Sequence, residues 1–141
     1  MENEKSPILE IKDLRVTYET DIEVVEAVNG ISFQIEKGKT LGLVGETGAG
    51  KTTTALSILR LLPETTGRIK GGEICFEGED LLHVDEEQMR GVRGNRISMV
   101  FQDPMSSLNP VYTVGDQIGE AIRLHRPELS NDCLLYTSPS P

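Results

Sequence analysis

Apolar and polar residues alternate along the first third of the chain in the period-two rhythm of half-buried strands. Residues 8–18 partly alternate, with Ile11, Leu14 and Val16 among the apolar positions, and predict a strand. A turn over 21–23 leads to a second short strand over 24–28. Ile31, Phe33 and Ile35 then interleave with Ser32, Gln34 and Glu36, a half-buried strand ended by Lys37-Gly38-Lys39. The rhythm changes at Leu41-Gly42-Leu43-Val44, a short apolar run fit for a buried strand. Beyond it, Ala55, Ile58, Leu59 and Leu62 recur at helical spacing until Pro63 stops the helix. Gly71-Gly72 opens a strand over 73–76, closed by the turn Glu77-Gly78-Glu79. Asp85, with Gln88 three residues on, has the form of a capping box for a short helix to about Arg90. Residues 97–101 read as an apolar-rich strand ending at Gln102, and 103–112 as a loop containing Pro104 and Pro110. Thr113 then caps a helix to about His125, with Val114, Gln117-Ile118 and Ala121-Ile122 on its stripe. An antiparallel β start followed by strand, loop and helix predicts an α/β domain with a β-rich flank.

The loop between that buried strand and its helix carries the candidate chemistry. Gly45-Glu46-Thr47-Gly48-Ala49-Gly50-Lys51-Thr52 fits G-x-x-x-x-G-K-[ST], the phosphate-binding loop. Glycines allow the backbone to wrap closely round phosphates. Successive N–H groups, backed by the N-terminus of the following helix, then form an anion nest. Lys51 would reach the β- and γ-phosphates of a nucleoside triphosphate, and the Thr52 hydroxyl would ligate Mg²⁺.

Charge narrows the partners. Of 141 residues, 14 are basic and 23 acidic, a formal charge of −9. Nucleic acid and anionic lipid are polyanions and are disfavoured as main partners. No apolar run is long enough to cross a membrane, and Met1-Glu2-Asn3-Glu4-Lys5 does not read as a signal peptide. A membrane role would therefore run through a protein partner. Cys75 and Cys133 have no metal-ligand spacing, and Cys75 is expected to be a small buried apolar residue. A cytoplasmic protein fits these features.

The order of motifs resembles a known family. Leu14-Arg15-Val16-Thr17-Tyr18 is followed by Ala27-Val28-Asn29-Gly30-Ile31-Ser32-Phe33, then the phosphate loop, then Arg96-Ile97-Ser98-Met99-Val100-Phe101-Gln102-Asp103-Pro104. Over about residues 8–130 this is similar to the ATP-binding domain of ABC transporters. The run Phe101-Gln102-Asp103-Pro104-Met105-Ser106-Ser107-Leu108-Asn109-Pro110-Val111-Tyr112-Thr113 resembles the oligopeptide/dipeptide (or nickel) importers in particular. The resemblance implies a P-loop NTPase of the ABC type with an N-terminal antiparallel β-subdomain, and ATP and Mg²⁺ as ligands. Tyr18 matches the aromatic that stacks on adenine, where a π-face needs no exact hydrogen-bond partner. Gln102 matches the catalytic-site glutamine that reaches Mg²⁺ and the attacking water, and Thr53 would add a contact near the α-phosphate. The resemblance also implies transmembrane permease subunits, docked by residues 103–110, and a second ATP-binding subunit, identical or not. Together these place the protein on the inner face of the plasma membrane.

Leu81-Leu82-His83-Val84-Asp85-Glu86 superficially imitates the second nucleotide motif, an apolar run ending in Asp-Glu. It precedes Gln102, whereas the family places that motif after it, and Asp85 as a helix N-cap explains the residues better. No Leu-Ser-Gly-Gly signature, catalytic Glu motif or switch His follows Gln102. The resemblance is thus to a domain truncated before the signature motif, over residues 1–132. Residues 133–141, uncharged and aperiodic, are similar to translated adapter read-through, a native flexible terminus being the alternative. A non-transport ABC-type ATPase remains a rival, as does a non-catalytic nucleotide-binding fragment for the chain as it stands.

Overall fold

The β-rich flank is built round one central strand. The computed structural model describes residues 6–103 and 107–129. In it, β1 (Leu9–Glu19) pairs antiparallel with β2 (Val24–Ile35) on one side and β3 (Gly67–Phe76) on the other. A two-residue strand, β4 (Glu79–Asp80), extends the sheet beyond β3, giving the order β2-β1-β3-β4. This sheet lies in the first of two compact units, Met1–Met89; the second is Arg90–Pro141.

A bulge explains why the alternation in β1 is only partial. Leu9 and Ile11 are buried at odd positions, Leu14 and Val16 at even ones. The register slips between Ile11 and Leu14 against β2, and between Lys12 and Arg15 against β3, with Asp13 at φ 44. The extra residue returns the apolar side chains to one face; without it the second half of the strand would point them away. Facing the bulge, Gly72 sits at φ 98, where a Cβ would lie 2.6 Å from the Asp13 carbonyl oxygen and the Leu14 Cα. A side chain is excluded there. The Asp13 N–H donates to Ser32 Oγ at 2.8 Å, and Arg15 donates to Asp13 Oδ1 at 3.0 Å and Asn29 Oδ1 at 2.8 Å. These exposed bonds fix the local shape more than they add stability. The buried face itself is Leu9, Ile11, Leu14, Val16, Val28, Ile74 and Phe76, with Leu59, Leu81 and Met89 buried from the segments that follow.

The glycines redraw two expected boundaries. The strands expected over 24–28 and 31–35 are one strand, because Gly30 at φ 79 accommodates an irregularity and the ladder continues past it. Strand β3 starts at Gly67, since Arg68 and Ile69 already pair with Thr17 and Val16; Gly71-Gly72 marks the bulge, not an opening.

Helix α1 (Lys51–Ile58) stops before Leu62. Its end is a Schellman motif: Arg60 lies at φ 53, its N–H donates to Ser57 O at 3.1 Å, and the Leu61 N–H donates to Leu56 O at 2.9 Å. Arg60, in place of the usual glycine, holds this left-handed position while its guanidinium donates to Val84 O at 2.9 Å and faces Glu86 at 3.8 Å. Helix α2 (Glu86–Val92) opens on the expected capping box. Gln88 N–H donates to Asp85 Oδ1 at 2.7 Å and Asp85 N–H to Gln88 Oε1 at 3.3 Å.

Two expected strands are absent. Residues 41–44 form none, and Leu41, Leu43 and Val44 are 43%, 39% and 91% exposed. Over 97–101 only an isolated bridge, Arg93 to Ile97, is formed, and Val100 and Phe101 are 96% and 48% exposed. An apolar run becomes a buried strand only when neighbouring strands take up its N–H and C=O groups and cover its faces. Among the described residues no strand pairs with 41–44.

In the second unit, α3 (Val114–His125) is capped as expected: the Asp116 N–H donates to Thr113 Oγ1 at 3.1 Å. Ile118, Ala121 and Ile122 of its stripe line an open groove with Gly94 and Asn95. Gln117 lies on the same helix but binds backbone, accepting from Asn109 N–H at 2.8 Å and donating to Asn109 O at 2.9 Å and Tyr112 O at 3.1 Å. It fixes the end of the preceding loop, a role its place in the apolar pattern did not reveal.

Candidate functional site

Gly45 to Gly50 form a loop, exposed through Ala49, that turns once, with the Ala49 N–H donating to Glu46 O at 3.0 Å, before α1 begins at Lys51. The N–H groups of Thr47, Gly48, Gly50, Lys51 and Thr52 have no acceptor among the described residues. This is the donor set an anion requires, gathered at one helix start. Gly50 is the N-cap at φ 81, with no capping side chain. A Cβ there would stand 2.3 Å from the Ala27 carbonyl oxygen, so the close approach of α1 to β2 depends on glycine.

Lys51 folds back over the loop. Its ammonium donates to Gly45 O at 2.6 Å and Glu46 O at 2.7 Å. The Thr52 side chain is exposed. A backbone nest, an ammonium over its mouth and an exposed hydroxyl at the helix start fit a polyphosphate with a hard cation.

The buried face of α1 is made of hydroxyls, Thr53, Thr54 and Ser57, where the sequence pattern had placed Ala55 and Ile58. Thr54 Oγ1 donates to Gly50 O at 2.8 Å and Ser57 Oγ to Thr53 O at 2.7 Å. Thr53 Oγ1 instead meets the Tyr18 hydroxyl at 3.1 Å. Tyr18 is half-buried on β1, paired with Val25 on one side and Gly67 on the other. The structure thus brings Tyr18 to Thr53, which directly follows the loop and Thr52, through a hydroxyl bond that base stacking alone does not require. Gln102 is an exposed residue of the second unit. Of residues 103–110, positions 104–106 lie outside the described residues, as do 133–141.

Other candidates recede. Asp85 is the helix cap already described, not a nucleotide motif. Cys75 is half-buried, not fully buried as expected: its β4 neighbour is the short edge strand. Partial burial, with the Asp80 and Glu73 carboxylates nearby, pushes its thiol up and keeps it protonated. Among the described residues no cluster of His, Cys, Asp and Glu could hold a metal, and no helix is long and apolar enough to cross a membrane.

The ABC transporter family model matches residues 28–136. A probable peptide ABC transporter ATP-binding protein of Sinorhizobium fredii is 52% identical over 118 residues, which are 84% of this chain and 35% of that protein. An oligopeptide transport ATP-binding protein of Bacillus subtilis is 48% identical over 84% of this chain and 33% of its own length. The chain therefore spans about a third of the length of these curated relatives. Among solved structures, the bacterial ABC transporter cassette MJ0796, described as dimeric, superposes with a TM-score of 0.76 at 21% identity, covering 89% of this chain and 52% of that one. That likeness shows the fold of an ABC transporter cassette, about half of which this chain spans. By the family model and by these relatives, the chain belongs to the ABC transporter family, among its ATP-binding proteins.

Proposed function

We propose that residues 1–132 form the N-terminal part of an ATP-binding subunit that energises import of peptides by binding and hydrolysing MgATP, with 133–141 a non-native tail. The observation that carries this reading is the open nest of N–H groups with the Lys51 ammonium held over it, in a chain similar to peptide-transport ATP-binding proteins. Residues Gly45, Glu46, Thr47, Gly48, Ala49 and Gly50 wrap the phosphates with their backbone. Lys51 exchanges its two carbonyl partners for β- and γ-phosphate oxygens, which as anions make stronger bonds to an ammonium. Thr53 lies near the α-phosphate and the Tyr18 ring stacks on the base. Thr52 and Gln102 would hold Mg²⁺, which when bound supplies charge neutralisation to the phosphate oxygens. Gln102 also orients the attacking water. It has no carboxylate, so the proton of that water is taken by a group outside these residues.

The partners of this reading are transmembrane permease subunits, met by residues 103–110, and a second ATP-binding subunit. That assembly is peripheral to the cytoplasmic face of the plasma membrane. Lys51→Ala in the full-length subunit should weaken ATP binding at least tenfold by calorimetric titration, and an unchanged affinity would overturn the assignment. A second reading holds for the 141-residue chain alone, that of a non-catalytic nucleotide-binding fragment. It is favoured by the exposure of Leu41, Leu43, Val44 and Phe101, apolar residues without the neighbours a finished sheet would give them.

A further inference from the structure

We infer that the Tyr18 hydroxyl is a positioning group for the phosphate site, so that one phenol serves both ends of the nucleotide. The inference rests on the nucleotide-binding reading above. It begins from what fastens the first turn of α1, since the buried apolar residue of this segment, Leu59, lies at the other end of the helix. Its inner face is Thr53, Thr54 and Ser57, not the apolar stripe that normally holds a helix on a sheet. Thr54 and Ser57 direct their hydroxyls to carbonyls at the helix's own start, Gly50 O and Thr53 O. Those bonds shape the helix and cannot locate it. Its N-cap glycine contributes no side-chain bond either.

Two contacts bear on where the first turn sits. One is the close approach of Gly50 to the Ala27 carbonyl of β2. The other is Tyr18 Oη to Thr53 Oγ1 at 3.1 Å, the one side-chain hydrogen bond from sheet to α1 among the described residues. Both ends of that bond are well held. Thr53 is 8% exposed, and Tyr18 is laced into the ladder on both sides, opposite Val25 and Gly67. Thr53 directly follows Lys51 and Thr52, so a shift of its side chain carries the ammonium and the adjacent hydroxyl with it.

The bond also prepares Thr53 itself. A hydroxyl has one proton to give and two lone pairs to fill. When Tyr18 donates, Thr53 Oγ1 keeps its own proton for a phosphate oxygen, and the chain of bonds polarises it as a donor. A residue that acted through ring stacking alone would leave triphosphate binding untouched when its hydroxyl is removed. A positioning hydroxyl would not.

The test is calorimetric titration of the full-length subunit with inorganic triphosphate, which has no base, and in parallel with ATP. Tyr18→Phe keeps the ring and should weaken both ligands by a similar factor, about three- to tenfold, the range for one lost hydrogen bond. Thr53→Val, of the same shape, should do likewise, and the double variant should lose little more than either alone. Wild-type affinity for inorganic triphosphate in Tyr18→Phe, with Lys51→Ala still impaired, would overturn the inference and leave the phosphate site standing. If the wild type itself fails to bind inorganic triphosphate, or Lys51→Ala binds it equally well, the phosphate site and the inference fall together.

Discussion

Replacing Gly50 by alanine separates two demands that the phosphate loop places on its glycines. Gly48 and Gly50 both have left-handed backbone, φ 85 and φ 81, so an alanine at either is strained by about 1–2 kcal/mol. They differ in what surrounds them. A Cβ on Gly48 meets nothing within 4 Å, whereas one on Gly50 stands 2.3 Å from the Ala27 carbonyl oxygen and 3.3 Å from Val28 Cγ2. Backbone cannot swing aside as a side-chain tip can. To reach 3.0 Å, the start of α1 must withdraw from β2 by about 0.7 Å, or β2 must bend by as much. Overpacking of this kind adds about 1–3 kcal/mol. Gly48→Ala should therefore destabilise the full-length subunit by about 1–2 kcal/mol in urea denaturation followed by circular dichroism, and Gly50→Ala by about 2–5 kcal/mol. Because the displaced turn carries Lys51 and Thr52, Gly50→Ala should also lose ATP affinity beyond its stability loss, measured well below the melting transition. Equal destabilisation by the two variants would refute the close approach of Gly50 to Ala27 as the constraint.

Two further outcomes follow from the same geometry. Burial raises the Asp80 carboxyl, but the Leu82 N–H bond at 3.0 Å and the contact with His83 Nδ1 at 2.6 Å outweigh it and hold the pKa below its ordinary value. A depressed carboxylate pKa contributes stability that is present above the unfolded value, near 3.8, and lost as pH falls through the folded one. The stability gap between wild type and Asp80→Asn should accordingly be full at neutral pH and close as pH falls below about 4, in melts across that range; a gap that widened in acid would contradict the assignment. The 141-residue chain by itself should release no phosphate from MgATP and should bind a hydrophobic dye through Leu41, Leu43, Val44, Val100 and Phe101; phosphate release that Lys51→Ala abolishes, with a cooperative urea melt, would show that these residues suffice.

Features carried by a few adjacent residues were legible in the sequence. The Asp85–Gln88 capping box, the Thr113 cap and the stripe of α3 are set by local backbone chemistry, whose donors and acceptors lie within one turn. The strand character of residues 8–18 was equally plain, because alternation survives on either side of a bulge. What required tertiary structure was everything in which a residue's partner is distant in the chain. The bulge at Asp13 shows only against Gly72, and the glycine pair that reads as a strand opening is its counterpart across the ladder. The hydroxyl face of α1 departs from a helical pattern of Ala55 and Ile58, although Leu59 at the helix end is buried as that pattern expects, because the Tyr18 phenol and a β2 carbonyl that meet the first turn are distant in the chain. The apolar runs at 41–44 and 97–101 show the converse: apolarity states that a segment can be buried, but burial needs neighbouring strands, and no pattern within the segment supplies them.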